Sequence, residues 1–282
     1  MEFESGDSVK SVGILMVATN AYLERWKETA RDLEINAFKS VSTVVIHLFT
    51  NESEAAHTFV AANLKRIKVE VHQIPGWGWP EATLLRYEFF SQNQDRLKED
   101  FLMYLDSDMR VIGDVETIIL KLNKSEGIGV VSHPGFYRPR GIERLKLYSS
   151  SPLMVVRDAK IAIQSSKSLG AWEKNRLSTA FVKKKKRKTY VHGAIWFGYR
   201  DEFIGMCESL SARTRRDLEV SFIARWHDES HLNWYISRHP HKIFDNRLSW
   251  VEGYRNLRIF NFNYLVSNVQ KETGEGRAPS NV

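Results

Sequence analysis

Short apolar runs alternate with amphipathic segments along the first part of the chain. Val12 to Ala18 reads VGILMVA, which predicts a strand buried on both faces, and apolar positions near helical spacing predict a helix over Tyr22 to Phe38. Two more strands are expected at Val41 to Phe49 and Lys68 to Ile74, with a helix at Glu54 to Lys65 between them. This order indicates an α/β fold with a mostly parallel central sheet flanked by helices.

The remainder of the chain continues this alternation. Helices are predicted at Glu81 to Asn93, Arg200 to Leu210 and Glu229 to Arg238, and strands at Phe101 to Leu105, Gly127 to Ser132, Tyr190 to Tyr199 and His241 to Phe244. We expect an N-terminal extension over residues 1–10, a single domain over 11–269 and a mobile tail over 270–282. Because such sheets bind ligands beyond the carboxyl ends of their strands, residues just after apolar runs are the first candidates for a site.

Composition narrows the class of protein. The 282 residues are 43% hydrophobic and 27% charged, values typical of a globular chain. The sequence contains nothing near the roughly 18 consecutive apolar residues of a membrane span. The acidic start does not resemble a signal peptide, and Cys207, the only cysteine, cannot form an internal disulfide. We therefore expect a cytoplasmic protein.

The net charge of +7 comes largely from one segment, Lys183 to Lys188, which reads KKKKRK. A block of like charges is usually a solvated loop. A weak contact with an anionic surface or an acidic glycan is the alternative, and nucleic acid is the least favoured partner. Overall charge therefore says little about function.

Two acidic motifs have the chemistry of a site. Asp106-Ser107-Asp108 follows a predicted buried strand, where two carboxylates can share one divalent cation; a turn or capping role is the alternative. Trp226 to His231 reads WHDESH at a predicted start of a helix, where its acids can cap the helix or bind sugar hydroxyls. A metal-phosphohydrolase cluster would need a more helical chain and further ligands.

Several strings, in this order and spacing, resemble glycosyltransferase family 6, which contains the histo-blood-group A and B transferases and the α-1,3-galactosyltransferases. They are SVGILMVATNAY, WPEATLLRYEFF, YLDSDMRV, SHPGFYRP, YVHGAIWFG and ARWHDESHLNWYISRHP. The resemblance implies a single GT-A-type domain that transfers galactose (Gal) or N-acetylgalactosamine (GalNAc) from its uridine diphosphate (UDP) conjugate to the 3-hydroxyl of a galactose-terminated acceptor. The anomeric configuration is retained. The absence of a membrane anchor is expected of a soluble bacterial or phage member.

The resemblance also implies roles for individual residues. Asp106 and Asp108 would bind Mn²⁺, or alternatively Mg²⁺, and Glu229 would be the catalytic carboxylate and also contact the acceptor. The implied donor-binding residues are Val17, Ala18, Thr19, Tyr22, Arg86, Ser107, His192, Gly193, Ala194, Asp228, Lys271 and Arg277. The implied acceptor-binding residues are Trp79, His133 and Trp226.

Structural alternatives exist for several of these residues. Tyr22 and Trp79 could be core aromatics, Arg86 could be a solvent-exposed helix residue, and Lys271 with Arg277 could be solvated charges on the tail. The resemblance implies that His192 to Ala194 face the 2-substituent of the donor sugar. Gly193 leaves room and Ala194 takes some of it back, while His192 can either donate to an acetamido carbonyl or crowd it. We expect UDP-GalNAc rather than UDP-Gal, because a glycine next to a hydrogen-bonding histidine suits an amide better than a hydroxyl. A polyanion-binding or glycan-binding module without catalysis is the competing function.

Overall fold

A computed structural model describes residues 9–138, 141–164, 168–244, 246–249 and 266–268. Its strands are β1 (Ser11–Val17), β2 (Thr43–Thr50), β3 (Lys68–Gln73), β4 (Phe101–Leu105), β5 (Met109–Val111), β6 (Ile128–Ser132), β7 (Val191–Tyr199), β8 (His241–Phe244) and β9 (Val266–Asn268). Its α-helices are α1 (Tyr22–Asn36), α2 (Ser53–Asn63), α3 (Glu81–Leu84), α4 (Arg86–Gln92), α5 (Glu116–Ile119), α6 (Ile142–Ser150), α7 (Pro152–Gln164), α8 (Arg200–Glu219) and α9 (His227–Ile236).

Within the described part of the chain, seven strands form one central sheet in the order β3-β2-β1-β4-β7-β6-β8, and β5 pairs with β9 separately. Four neighbouring pairs in the central sheet are parallel, while β7 is antiparallel to both β4 and β6. The prediction of an α/β fold with a mostly parallel central sheet is confirmed. The reversal of β7 places its first residues at the edge where β4 ends, and the backbone N–H of Asp106 donates to the carbonyl of Ala194 over 2.9 Å.

Successive side chains of the central strands enter two separate apolar layers. From β1, Ile14 and Met16 pack with α1 on one face, while Leu15 packs with α4 and α8 on the other. Residues of β4 divide in the same way, with Met103 on the first face and Tyr104 on the second. This division is why the runs are apolar at every position, because alternate side chains of a strand point to opposite faces.

Several boundaries differ from those predicted. The helix expected over Glu81 to Asn93 is two helices that meet at Leu85, whose ψ of 2° departs from α-helical geometry. Helix α1 ends at Asn36 because the next residue, Ala37, is extended. Helix α8 continues nine residues beyond Leu210, and the pair β5 and β9 was not predicted. No helix among the described residues is both long and apolar enough to cross a membrane.

Candidate active site

A cavity of about 400 Å³ opens beyond the carboxyl ends of β1 and β4. Eight predicted site residues line it: Val17, Thr19, Tyr22, Trp79, Arg86, Asp106, Ser107 and Asp108. They come from three separate stretches of chain that the sheet brings to one edge. Ala18, in contrast, is fully buried, and its backbone N–H donates to Phe49 over 2.9 Å.

Arg86 joins two carboxylates at the floor of this cavity. Its Nη1 lies 3.2 Å from Asp106 Oδ1 and 3.3 Å from Asp228 Oδ2. The guanidinium also stacks 4.5 Å from the ring of Tyr104, whose hydroxyl donates to Asp106. Only 5% of Arg86 is exposed, so the alternative of a solvent-exposed helix arginine is wrong. Burial would lower the pKa of Arg86, but Asp228, Tyr104 and Asp106 raise it, and the side chain stays cationic.

Two aromatic residues at the mouth of the cavity are accessible. Tyr22 is 43% exposed and lies under the guanidinium of Arg25, 5.1 Å from the ring centre. Trp79 is 73% exposed, and its ring meets that of His227 edge-on at 4.7 Å. The core-packing alternatives for Tyr22 and Trp79 are therefore wrong. Exposed rings at the mouth of a cavity are suited to stacking on a base or a sugar.

The two acids after β4 differ in their surroundings. About a third of the Asp106 side chain is accessible, whereas Asp108 is nearly buried, with its Oδ2 3.7 Å from Nη1 of Arg25. Both carboxylates line the cavity, and oxygen ligands of this kind suit a hard cation such as Mn²⁺ or Mg²⁺. Two protein carboxylates would leave coordination positions for phosphate oxygens and water. The residues present thus fit a divalent cation.

Helix α9 carries two acids in its first turn, Asp228 and Glu229, and Asp228 contacts Arg86 at the floor of the cavity. Burial raises the pKa of Asp228 to about 7; the nearby Arg86 opposes the rise, and the charges of Asp106 and Glu229 add to it. The hydroxyl of Tyr87 donates to the carbonyl of Asp228 over 3.1 Å and fixes the helix start. The predicted helix-start position of these acids is confirmed, with α9 beginning at His227 rather than at Glu229.

Glu229 contacts the beginning of β7. Its Oε2 accepts the backbone N–H of Gly193 at 2.8 Å. A Cβ on Gly193 would lie 3.1 Å from the Cβ of Glu229, so the glycine permits this close approach. Burial raises the pKa of Glu229, although the His192 imidazole, the Tyr190 phenol and the Gly193 N–H all act to lower it. This carboxylate and the predicted donor tripeptide therefore form one unit.

Asn233 holds that unit together and was missed in the sequence. It is 1% exposed, and its side-chain amide donates to the carbonyls of Val191 and Glu229, both over 2.9 Å. Its Oδ1 accepts the N–H of Val191 at 2.8 Å. One amide thus fastens α9 to β7. Its position one helical turn after Glu229 is a signal that sequence reasoning could have used.

Two histidines face Glu229. The rings of His133 and His192 meet edge-on at 5.0 Å, and ligand atoms of these two residues and Glu229 lie within 4.8 Å of one another. Burial lowers the pKa of His133 to about 3, with Arg157 adding to the effect, and burial with His133 lowers that of His192 to about 4. Both imidazoles are therefore neutral near pH 7. Ser249, whose hydroxyl lies 2.6 Å from His192 Nδ1, was not predicted.

The remaining predicted residues lie elsewhere or outside the description. Trp226 is half-buried at the N-cap of α9, and its backbone N–H donates to Ser230 Oγ over 3.0 Å. Lys271 and Arg277 lie outside the described residues. In the basic segment, five side chains are exposed, but Arg187 is buried and donates to the carbonyl of Val182 over 2.9 Å. Lys183 to Lys188 is therefore a solvated segment that one buried arginine anchors to the fold.

Comparisons with known proteins bear on the class of this chain. Residues 158–275 match the model of glycosyltransferase family 6. The chain is 25% identical over 191 residues to the O-antigen biosynthesis glycosyltransferase WbnI of Escherichia coli. This alignment covers 67% of this chain and 69% of that protein. It is 24% identical over 248 residues to the histo-blood group ABO system transferases 2 and 1 of Rattus norvegicus. Those matches cover 85% of this chain and 63% and 61% of the rat proteins.

The family model and these relatives define the class: the chain is a glycosyltransferase. Within that class, its resemblance to glycosyltransferase family 6 is confirmed.

Proposed function

We propose that this protein transfers GalNAc or Gal from its UDP conjugate to the 3-hydroxyl of a terminal galactoside, with retention and with the help of a divalent cation. The observation that carries the proposal is the bridge from Asp106 through Arg86 to Asp228. It connects the cavity beyond β4 to the helix that presents Glu229. Groups suited to a leaving diphosphate and a reacting sugar are thus held side by side.

The donor would occupy the cavity with its base beside Tyr22 and the strand-end residues Val17 to Thr19. Base stacking on an exposed aromatic ring contributes about 1–3 kcal/mol. The diphosphate would lie next to Asp106 and Asp108, which would hold Mn²⁺ or Mg²⁺. A bound cation would neutralise charge on the leaving UDP. We assign Lys271 and Arg277 of the tail to the same diphosphate.

Glu229 would act on the opposite end of the breaking bond. Cleavage between the sugar and UDP leaves positive charge on the anomeric carbon, and a carboxylate held in place by a backbone N–H stabilises that charge without reorganising. Asp228 would accept hydrogen bonds from donor hydroxyls, as Arg86 keeps its carboxylate oriented. His133, Trp79 and Trp226 would border the acceptor.

The donor sugar would meet the start of β7. A Cβ at Gly193 would meet Glu229, and the side chain of Ala194 is buried in the core, so His192 is the side chain left to contact the 2-substituent. His192 is neutral, and since its Nδ1 pairs with Ser249, its Nε2 is the atom available to an acetamido group. This arrangement supports UDP-GalNAc as the preferred donor.

The test is incubation with each UDP-sugar, Mn²⁺ and a β-galactoside, with product mass and linkage read by mass spectrometry and NMR. Transfer of 203 or 162 mass units, the residue masses of GalNAc and Gal, to the 3-hydroxyl is expected with about tenfold preference for GalNAc. No release of UDP from either donor, together with a UDP affinity that is indifferent to metal but steeply dependent on salt, would instead support a polyanion-binding module.

A further inference from the structure

A second polar cluster lies inside the sheet, away from the cavity, and consists of His47, Glu70, His72 and Glu99. His47 of β2 pairs directly with Glu70 of the edge strand β3, and His72 follows two residues later on the same face. Both histidines are buried, whereas 44% of the Glu70 side chain is accessible. None of these residues lines the candidate active site.

In each imidazole, the nitrogen that points away from the other ring is a hydrogen-bond donor. His47 Nε2 lies 3.0 Å from Glu99 Oε2, and an ionised carboxylate only accepts. His72 Nδ1 lies 3.3 Å from Asn93 Oδ1. The amide of Asn93 cannot be reversed without loss, because its Nδ2 donates to the carbonyl of Phe89 over 2.8 Å. Each ring therefore carries its proton on the outward side.

The inner nitrogens then face each other with lone pairs. His47 Nδ1 and His72 Nε2 are 3.1 Å apart. Two neutral imidazoles carry two N–H groups in total. The contact with Glu99, the contact with Asn93 and the contact between the two rings would need three. The missing partner must be a third proton, which makes one buried ring cationic, or a metal ion bound to both nitrogens.

We propose that His47 Nδ1, His72 Nε2 and a Glu70 oxygen form a site for a borderline transition-metal ion of the zinc class. Two imidazole ligands at ordinary Zn–N bond lengths in tetrahedral geometry are about 3.3 Å apart, close to the separation observed. Glu70 Oε2 lies 4.0 Å from His47 Nδ1 and reaches the ion by a small rotation. Water from the open edge completes the coordination.

The groups around the two imidazoles hold them in place, as the groups around metal ligands usually do. Glu99 behind His47 makes the carboxylate–histidine arrangement that orients a ligand and raises its basicity. Gly13 makes room for it, since a Cβ there would lie 2.9 Å from Glu99 Oε2. The ring of His72 is fixed by stacking on Phe49 at 4.4 Å and 9°. Arg96, 3.4 Å from Glu70, competes with the ion for the one exposed ligand.

The ligand set separates this site from the active site. Two imidazoles and one carboxylate favour Zn²⁺, Co²⁺ or Ni²⁺, whereas the carboxylate pair Asp106 and Asp108 favours Mn²⁺ or Mg²⁺. The ion would join the edge strand β3 to β2 and so stabilise the end of the sheet. Its expected effect is therefore on unfolding rather than on transfer.

The experiment uses the full chain without a polyhistidine tag, treated with chelator and titrated with Co²⁺. One Co²⁺ per chain with tetrahedral visible bands is expected, displaced by one equivalent of Zn²⁺ and accompanied by a rise in the melting temperature. His72→Gln should weaken Co²⁺ binding at least about hundredfold, and Glu70→Gln about tenfold. Exposed His57 provides the matched control, and His57→Gln should bind as the wild type does.

A second group of metal-competent residues, His133, His192 and Glu229, must be distinguished from this one. His192→Gln should retain the Co²⁺ spectrum. The proposal is overturned if the folded wild type shows no tetrahedral band at about 1 mM Co²⁺, or if His192→Gln loses the band while Glu70→Gln keeps full affinity. Near-UV circular dichroism verifies folding. If His72→Gln does not fold, Glu70→Gln decides, because its side chain is accessible.

Discussion

The two sides of the candidate active site use the same residue types in different electrostatic settings. On the β4 side, Asp106 and Asp228 share the buried guanidinium of Arg86. On the β7 side, Glu229 is held by a backbone N–H and faces the neutral imidazoles of His133 and His192. The first setting places two carboxyl groups beside a permanent cation, whereas the second leaves a carboxylate without an adjacent cationic side chain among the described residues.

This difference matches the charges of a glycosyl transfer. A leaving diphosphate needs cations, and a permanent guanidinium with metal-competent acids is suited to it. A developing oxocarbenium ion needs a carboxylate whose charge is not already neutralised. The neutrality of the two histidines therefore matters as much as the position of Glu229.

The strongest test of this division is Glu229→Gln. The change keeps the volume of the side chain but removes the charge, so kcat should fall about a thousandfold, equivalent to about 4 kcal/mol of transition-state stabilisation. UDP affinity measured by calorimetry should remain within about threefold of the wild type. A variant that keeps most of its activity would move the catalytic role to Asp228.

Asp108→Asn tests the other side and should reduce transfer about a hundredfold by removing stimulation by Mn²⁺. The fold should be unaffected, because the amide is isosteric and Arg25 is only partly buried. Rates are compared across Mn²⁺ concentrations, with Asp106→Asn as the companion variant. Wild-type activity that survives chelation unchanged would contradict the metal assignment.

Gly193→Ala probes the contact between the tripeptide and the carboxylate. The added methyl would lie 3.1 Å from Glu229 Cβ, so we expect about a tenfold lower kcat with both donors and a shifted ratio between them. Ala194→Gly is the control, as it changes the neighbouring position without approaching Glu229. If the donor ratio is unmoved by both variants, this segment does not select the sugar.

The smallest expected effect is a pH dependence of stability. An unfolded histidine titrates near pH 6.5, whereas the folded pKa of His133 is about 3, so the unfolded state binds more protons between these values. Stability should therefore fall as the pH drops below 6.5. His133→Gln should lessen the loss between pH 6.5 and 5 by about 1 kcal/mol, measured by urea unfolding. An unchanged pH profile would mean that His133 is not held neutral by the fold.

Sequence patterns predicted the central strands, because a strand that is buried on both faces appears as a run of apolar residues. They did not predict the direction of β7, which depends on partners far away in the chain. The position of His192 to Ala194 beside Asp106 follows from that reversal. Tyr104 reads as one more core aromatic, and its polar contact with Asp106 has no local signature.

Residue roles were harder to predict than strands. Asp106 and Asp108 were singled out by their place after an apolar run, and Glu229 by its place in the acidic motif at a predicted helix start. The role of Arg86 came only from family resemblance. Asn233 and Ser249 act through hydrogen bonds between distant segments. The place of Asn233 one helical turn after Glu229 is the one local signal of its role. Ser249 carries no pattern that marks it in a single sequence.

Strand β7 is synthesised long after its partner β4, which affects how the protein folds on the ribosome. Strand β4 is fully buried between β1 and β7, yet about 85 residues separate its end from the start of β7. At about 5–20 residues per second, an apolar sheet edge would stay unpaired for roughly 4–17 s. Such an edge invites pairing with other nascent chains. Slower translation or crowding of ribosomes between these strands should therefore increase aggregation, and chaperones that bind early should reduce it.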